Sequence, residues 1–277
     1  MHYPLSYCTN VHPCRSRNDL ERIIVQEARC VRDQCGFDLG VGLWLPEAVI
    51  SNLIYDATFT TSVASLLADQ GMRCFSLNAF PFGDFHSERV KEKVYLPDWS
   101  DVRRLEYTRL CSQFLAGILN GNDEGSISTL PLAYKQAEQS SDFSKRVIDQ
   151  LLQLARYLDT LHNETGKIIR LAIEPEPFCV LETTLETIQF FERLWDAADK
   201  VALGGVVRQH IGVCYDVCHQ AVEFENPSTA IRELTEADIR INKVQISCAI
   251  ELDNPTSEKA RQLSLIHISE PTRQKPI

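Results

Sequence analysis

The sequence predicts an α/β fold of the (β/α)8 TIM-barrel type, read through about seven strands, and three observations carry that prediction. Short apolar runs alternate with helical patterns along the chain, the signature of repeated βα units and a parallel sheet. The 277 residues, 44% of them hydrophobic, suffice for one large core, and barrels of this kind run to about 250 residues as a single domain. Polar residues gather just past the apolar runs, at the strand tips where such barrels carry their ligand sites.

The first strand is predicted over Leu5 to Val11. Leu20, Ile23, Ile24, Ala28 and Val31 then recur at about 3.6-residue spacing, one face of a helix that Gly36 terminates. The second strand reads Leu39 to Leu45, with helical stretches at Ala48 to Leu53 and Thr60 to Ala68 and a close at Gly71. The third, Arg73 to Ala79, leads into Phe80 to Trp99, rich in Pro, Gly and aromatic residues and without a sustained period; loops of that length are more often functional than idle. A helix from about Asp101 to Leu119 returns the chain to a fourth strand, Ser126 to Leu130. Phe143, Val147, Ile148, Leu151, Leu152, Ala155 and Leu158 form the clearest helical stripe. The fifth strand, Ile168 to Ile173, is apolar at nearly every position, as a parallel strand covered on both faces should be. Thr183 to Glu186 supplies a capping box for a helix running to about Ala198. The sixth strand is His210 to Tyr215, a short helix occupies about Asn226 to Leu234, and the seventh strand is Lys243 to Ser247.

Closing the barrel needs an eighth strand, and the remaining sequence is not expected to supply it. Leu263 through Arg273 resembles the conceptual translation of a sequencing-library adapter. The expected organisation is therefore an incomplete barrel domain over residues 1–262 and a non-native tail over 263–277, and His267 carries no functional weight.

A formal charge of −10 repels phosphate backbones, and no compensating basic groove is visible, so nucleic acid is not an expected partner. A small neutral or cationic partner is easier to accommodate, and the oligomeric state is left open. The ten cysteines are scattered without paired C-x-x-C sets, which reads as buried free thiols in a reducing cytosol. Met1 to Tyr7 lacks a basic patch followed by an apolar run, and no segment approaches the ~18 apolar residues of a membrane span. The expectation is a soluble, cytoplasmic protein without membrane insertion.

Tip position selects the candidate site residues: Asn10 and His12 after the first strand, Asn78 and His86 around the third, Glu174 and Glu176 after the fifth, Asp216 and His219 after the sixth, and Gln245 with Ser247 on the seventh. In Glu174-Pro175-Glu176-Pro177 an apolar strand ends in two carboxylates flanked by prolines that delay the next helix. Residues two apart on an extended chain point the same way, and two such anions either raise one another's pKa or share a cation. A solvated Glu-Pro turn has the same letters. Asp216-Val217-Cys218-His219 places a hard oxygen and an imidazole nitrogen just beyond an apolar strand, a mixture suited to a divalent metal such as Mn²⁺, Zn²⁺, Co²⁺ or Mg²⁺. An N-cap Asp followed by a His in the first helical turn reads identically. His12 and His86 are lone loop histidines, as often hydrogen-bonding residues as ligands. Phe80, Phe82, Phe85, Tyr95 and Trp99 read either as a sugar-stacking wall or lid or as a packed loop.

With these residues located, the chain resembles the xylose-isomerase-like TIM barrels and, within them, the EboE family of metabolite-traffic proteins. The resemblance rests on Tyr7-Cys8-Thr9-Asn10-Val11-His12-Pro13, Asn78-Ala79-Phe80-Pro81-Phe82-Gly83, Val94-Tyr95-Leu96-Pro97-Asp98-Trp99, Leu171-Ala172-Ile173-Glu174-Pro175-Glu176-Pro177 and Cys214-Tyr215-Asp216-Val217-Cys218-His219. In the sugar isomerases and epimerases of that superfamily, a metal is held by a Glu of strand five, an Asp of strand six, a His of strand seven and an acid of strand eight. The resemblance puts Glu174 and Asp216 in the first two places, gives His219 a substrate-contacting role, and puts Gln245, a poorer ligand than imidazole for borderline metals, in the third. Cys14 departs from the family pattern, which favours Gly there. The resemblance implies a sugar-phosphate or polyol isomerase/epimerase-like protein with Glu174 and His219 as catalytic groups, Asn10, His12, Asn78, His86 and Glu176 lining the substrate, and Glu174, Asp216 and Gln245 on the metal. With half of that machinery beyond reach, the chain as it stands is expected to be inactive. A non-catalytic metabolite-binding or trafficking factor is the alternative, and endonuclease-IV-like phosphodiesterase chemistry the third.

Overall fold

The computed structural model describes residues 5–84, 86, 91–121, 123–137 and 139–248. Seven strands within them, β1 (Leu5–Cys8), β2 (Leu39–Leu43), β3 (Ser76–Asn78), β4 (Gly125–Thr129), β5 (Ile169–Ile173), β6 (Ile211–Asp216) and β7 (Ile241–Gln245), form one sheet in sequential order. Every neighbouring pair is parallel. The sheet curls into a half-barrel: the Lys243 ammonium on β7 reaches across to the Leu77 carbonyl on β3 and the Ser128 hydroxyl on β4. The described residues hold these seven strands, and the tail expected over 263–277 falls outside them.

Helices occupy each connection, because parallel strands can be joined only by a crossover. They are α1 (Arg17–Arg22) and α2 (Arg29–Cys35), joined through the π-helical stretch Ile23–Ala28; α3 (Glu47–Leu53) and α4 (Phe59–Asp69); α5 (Val102–Ile118); α6 (Phe143–Thr165); α7 (Thr184–Lys200) and α8 (Gly204–His210); and α9 (Val217–Val222) and α10 (Pro227–Glu236). Their ends follow the expected capping chemistry. Ser16 accepts the Asp19 N–H at the start of α1, Thr183 and Glu186 complete the capping box of α7, and Gly36 turns the chain through a left-handed φ of 67° after α2. The stripe of α6 delivers Val147, Leu151, Leu154, Ala155 and Leu158 to the core between helices and sheet.

Several boundaries differ from the sequence reading, for local reasons. β1 ends at Cys8 because Thr9–Val11 wind into a 3-10 turn, where Thr9 Oγ1 accepts the Trp44 N–H at 3.2 Å. The regular part of β3 is only Ser76–Asn78, although the Arg73 and Phe75 carbonyls still accept N–H bonds from Val41 and Ser126. β7 begins at Ile241, and its register against β6 shifts between Val213 and Cys214. A Cβ at Gly212, next to that shift, would lie 2.2 Å from the Arg240 carbonyl oxygen, so the approach of β7 requires glycine there.

The loop after β3 is pinned from below by Arg104 of α5. This fully buried guanidinium donates to the carbonyls of Pro97 at 2.9 Å, Ala79 at 2.8 Å and Phe80 at 3.0 Å. All ten cysteines are free, but only Cys14, Cys74, Cys111, Cys179 and Cys214 are buried, and Cys30 and Cys248 are exposed. Among the described residues no helix is long and apolar enough to cross a membrane.

Candidate metal centre

Strand register alone brings the acidic tips together. Ile173 pairs with Val213, and Asp216, the last residue of β6, pairs with Gln245, the last residue of β7. Glu174 follows β5 directly and donates its backbone N–H to the Thr129 carbonyl at 3.0 Å, so it still belongs to the sheet. Its carboxylate and that of Asp216 are both buried, and Gln245 Nε2 bridges them, 2.6 Å from Glu174 Oε1 and 2.9 Å from Asp216 Oδ2.

Asp216 is the cap that the sequence offered as one of two readings, and its second oxygen faces the other acidic tip. Its Oδ1 accepts the backbone N–H groups of Cys218 at 2.8 Å and His219 at 3.1 Å, capping α9, and the Ser247 hydroxyl at 2.6 Å. The cap places His219 one turn into α9, facing β5. There His219 Nδ1 lies 3.1 Å from the Pro175 carbonyl, which can only accept, so Nδ1 carries the proton. That nitrogen is also 3.6 Å from Glu174 Oε1, and Nε2 is turned toward Glu176, 4.0 Å from its Oε1. Ligand atoms from Glu174, Asp216 and His219 all lie within 4.8 Å of one another, the one such group among the described residues.

The electrostatics are those of anions crowded away from water. Burial pushes the Glu174 carboxyl up to about 7, and the charges of Asp216 and Glu176 push the same way against His219 and Lys243. Burial also raises Glu176, whose Oε1 accepts the Tyr95 hydroxyl at 3.3 Å. His219 is pulled down by burial but raised on balance by Glu174, Glu176 and Asp216. Glu174 Oε2 and Glu176 Oε2 are buried without a hydrogen-bond partner. Two orphaned acceptors beside a half-lone imidazole suit a cation, because each lone pair left without a partner costs about 1–3 kcal/mol.

The other predicted site residues take different company. His12 Nε2 is 2.8 Å from the Tyr7 hydroxyl, and burial lowers its pKa. His86 lies 3.6 Å from Asp84 and packs on Trp44, ring centroids 5.4 Å apart. Asn78 is buried at the end of β3, its Oδ1 accepting the Phe80 N–H at 3.0 Å and the Ser128 hydroxyl at 3.4 Å. Asn10 is half-buried in the 3-10 turn. Of the proposed aromatic wall, Tyr95 touches the site, stacked on Tyr134 at 5.3 Å and edge-on to Phe80 at 5.7 Å. Trp99 corrects that reading: it is fully buried, its indole N–H donating to Thr129 Oγ1, and belongs to the core. Phe82 packs edge-on to the buried Tyr107, and Phe85 lies outside the described residues.

Sequence reasoning missed Tyr134, which no tip rule reaches, and Lys243. The latter was detectable, since it stands two residues before Gln245 and so shares its face of β7.

No family model matches the chain, and no curated protein matches it. Solved structures do. A family 2 AP endonuclease from Brucella melitensis is similar at a TM-score of 0.54 and 15% identity, over 97% of this chain and 90% of that one. A xylose isomerase-like TIM barrel protein from Mycobacterium smegmatis, in complex with magnesium, is similar at 0.54 and 12% identity, over 83% and 71%. A D-tagatose 3-epimerase-like protein follows at 0.52 and 13%, over 87% and 75%. At these identities the likeness shows the fold: a xylose isomerase-like TIM barrel, here seven parallel strands with alternating helices.

Proposed function

We propose that this chain carries the β5–β7 part of a divalent-cation site for a sugar or polyol, of the isomerase or epimerase kind. The single observation that carries the reading is the convergence of buried Glu174 and Asp216 with His219 on one rim of the sheet. Glu174 and Asp216 would hold the cation through carboxylate oxygens, and Gln245 would join them once its amide turns to present Oε1 in place of Nε2. A cation held there supplies Lewis acidity to polarise a carbonyl–hydroxyl pair. Without a cation the Glu174 carboxyl stands near 7; a cation bound there would hold it as the carboxylate, with Oε2 left to accept and return a proton. His219 Nε2 and Glu176 supply polar contacts on one side of that position, and Tyr95 an aromatic face of the kind sugars stack on. Similarity to a magnesium complex and to an epimerase-like protein supports the reading. The net charge of −10 favours a small-molecule partner over nucleic acid, despite the AP endonuclease neighbour, because phosphodiester binding rests on cationic surface. Calorimetric titration with Mn²⁺ tests it: saturable binding lost in Glu174→Gln is expected, and no binding by the unmodified chain rejects it.

A second reading has its own observation. Gln245 donates to both carboxylates and so partly satisfies them without any cation, which suits a non-catalytic binding or trafficking factor of the EboE kind. Native mass spectrometry of protein from its own host separates the two, since a co-purifying organic ligand without metal supports the second.

A further inference from the structure

Beneath the acidic cluster lies a cation that the proposed function leaves unused. Lys243 stands on the inward face of β7, and its ammonium donates to the Ser128 hydroxyl at 3.0 Å and the Leu77 carbonyl at 3.2 Å. Both acceptors are neutral, and among the described residues no carboxylate lies within ion-pair distance of it. Lys243 is half-buried, and an ammonium drawn partly out of water without an adjacent anion is favoured by a nearby negative field. That field is one layer above: Ser128 pairs with Ala172, two residues before Glu174, so the ammonium's acceptor on β4 lies one inward-facing layer, about 7 Å along the strand direction, below the backbone of Glu174. Lys243 accordingly opposes the rise of the Glu174 pKa. Lys243 pairs with Cys214 on β6, two residues before the Asp216–Gln245 pair, which puts the lysine one layer below Asp216 as well.

We propose that Lys243 is a built-in counter-ion for the Glu174, Glu176 and Asp216 carboxylates, holding them together in the metal-free protein and weakening the divalent cation that later joins them. The proposal rests on the cation-site reading above. The ammonium is held toward the interior by its two hydrogen bonds on β3 and β4. A charge of +1 facing +2 across about 7 Å at an effective dielectric near 20 would weaken binding about 10³-fold, and after screening by water and a longer side-chain separation at least ~10-fold remains. A lysine that merely filled the barrel floor would have no such effect, since methionine fills nearly the same volume without the charge.

The test is Mn²⁺ titration of the full chain by calorimetry at pH 7.5, for the unmodified protein, Lys243→Met, Lys243→Gln and Lys243→Arg, with circular dichroism to confirm folding. Tightening of at least ~10-fold in the Met and Gln variants, with Arg within about 2-fold of the unmodified protein, is expected. The Gln variant retains a donor to Ser128 should Met fail to fold. Binding by the unmodified protein that is unchanged or weakened in the uncharged variants overturns the counter-ion role and leaves the cation site standing. Absence of Mn²⁺ binding in all four overturns both.

Discussion

The two sides of the strand-tip rim carry similar polar residues and do different things with them. On the β5–β7 side, Glu174, Asp216, His219 and Gln245 face one another across strand ends, and two carboxylate oxygens stay buried without partners. On the β1–β3 side, His12 is spent on Tyr7, His86 packs on Trp44 beside Asp84, and Asn78 gives its Oδ1 to the Phe80 backbone and Ser128. His12 and Asn78 are thus held by hydrogen bonds to their neighbours, whereas Glu174 and Glu176 each keep a buried oxygen without one. The first side holds unspent binding capacity, and the second shapes the loops around it.

The largest effect that would break this contrast belongs to Asp216. Asp216→Ala removes the α9 cap and strands the Gln245 and Ser247 donors, so a loss of about 3 kcal/mol in urea unfolding is expected, together with loss of Mn²⁺ binding. Retention of both stability and binding would place the cation elsewhere.

Glu174→Gln should act in the opposite sense on stability. Because the folded-state pKa of Glu174 stands near 7 against an ordinary value of 4.5, its contribution is complete below about pH 4.5 and is lost as pH rises through 7. The metal-free protein should therefore be more stable at pH 5 than at pH 8, by up to ~3 kcal/mol from this group. His219, also raised, adds to the same slope, since its stabilisation is present below its ordinary pKa and disappears as pH rises through the folded value. Thermal unfolding in chelator across that range should show the slope in the unmodified protein and a flatter one in Glu174→Gln. Equal slopes would mean that Glu174 is not the buried anion described.

Gln245→His sharpens the comparison by restoring an imidazole at the end of β7. Zn²⁺ affinity is expected to rise about 10-fold or more, measured by competition with a chromogenic chelator, because imidazole outranks an amide oxygen for borderline metals. The smallest effect is expected at His12. His12→Phe should cost about 1 kcal/mol through the lost Tyr7 contact and leave Mn²⁺ affinity within about 2-fold. A large change in affinity there would make the β1–β3 side part of the site.

Strand order, the crossover helices and the acidic tips were legible in the sequence because β2, β5 and β6 are near-continuous apolar runs. The edges of the short strands were not. Ser76 and Ser126 stand 3.5 Å apart and Ser128 meets Lys243, so inward positions of β3, β4 and β7 carry polar side chains that break the hydrophobic run. Helix α8 was missed because Gly204-Gly205 reads as a turn, and α9 because six residues are too few for a period to show. Asp216 illustrates the limit most clearly: cap and ligand look identical in sequence, and only the structure shows that the cap uses Oδ1 while Oδ2 is turned to Gln245, where the proposed cation would lie.

The most direct test of the convergence is a crystal grown with Mn²⁺ and measured at an anomalous wavelength. The expected result is one strong peak bonded to carboxylate oxygens of Glu174 and Asp216, with Gln245 turned to face it through oxygen. A peak on the β1–β3 side, or no peak within bonding distance of those two carboxylates at saturating Mn²⁺, would contradict it.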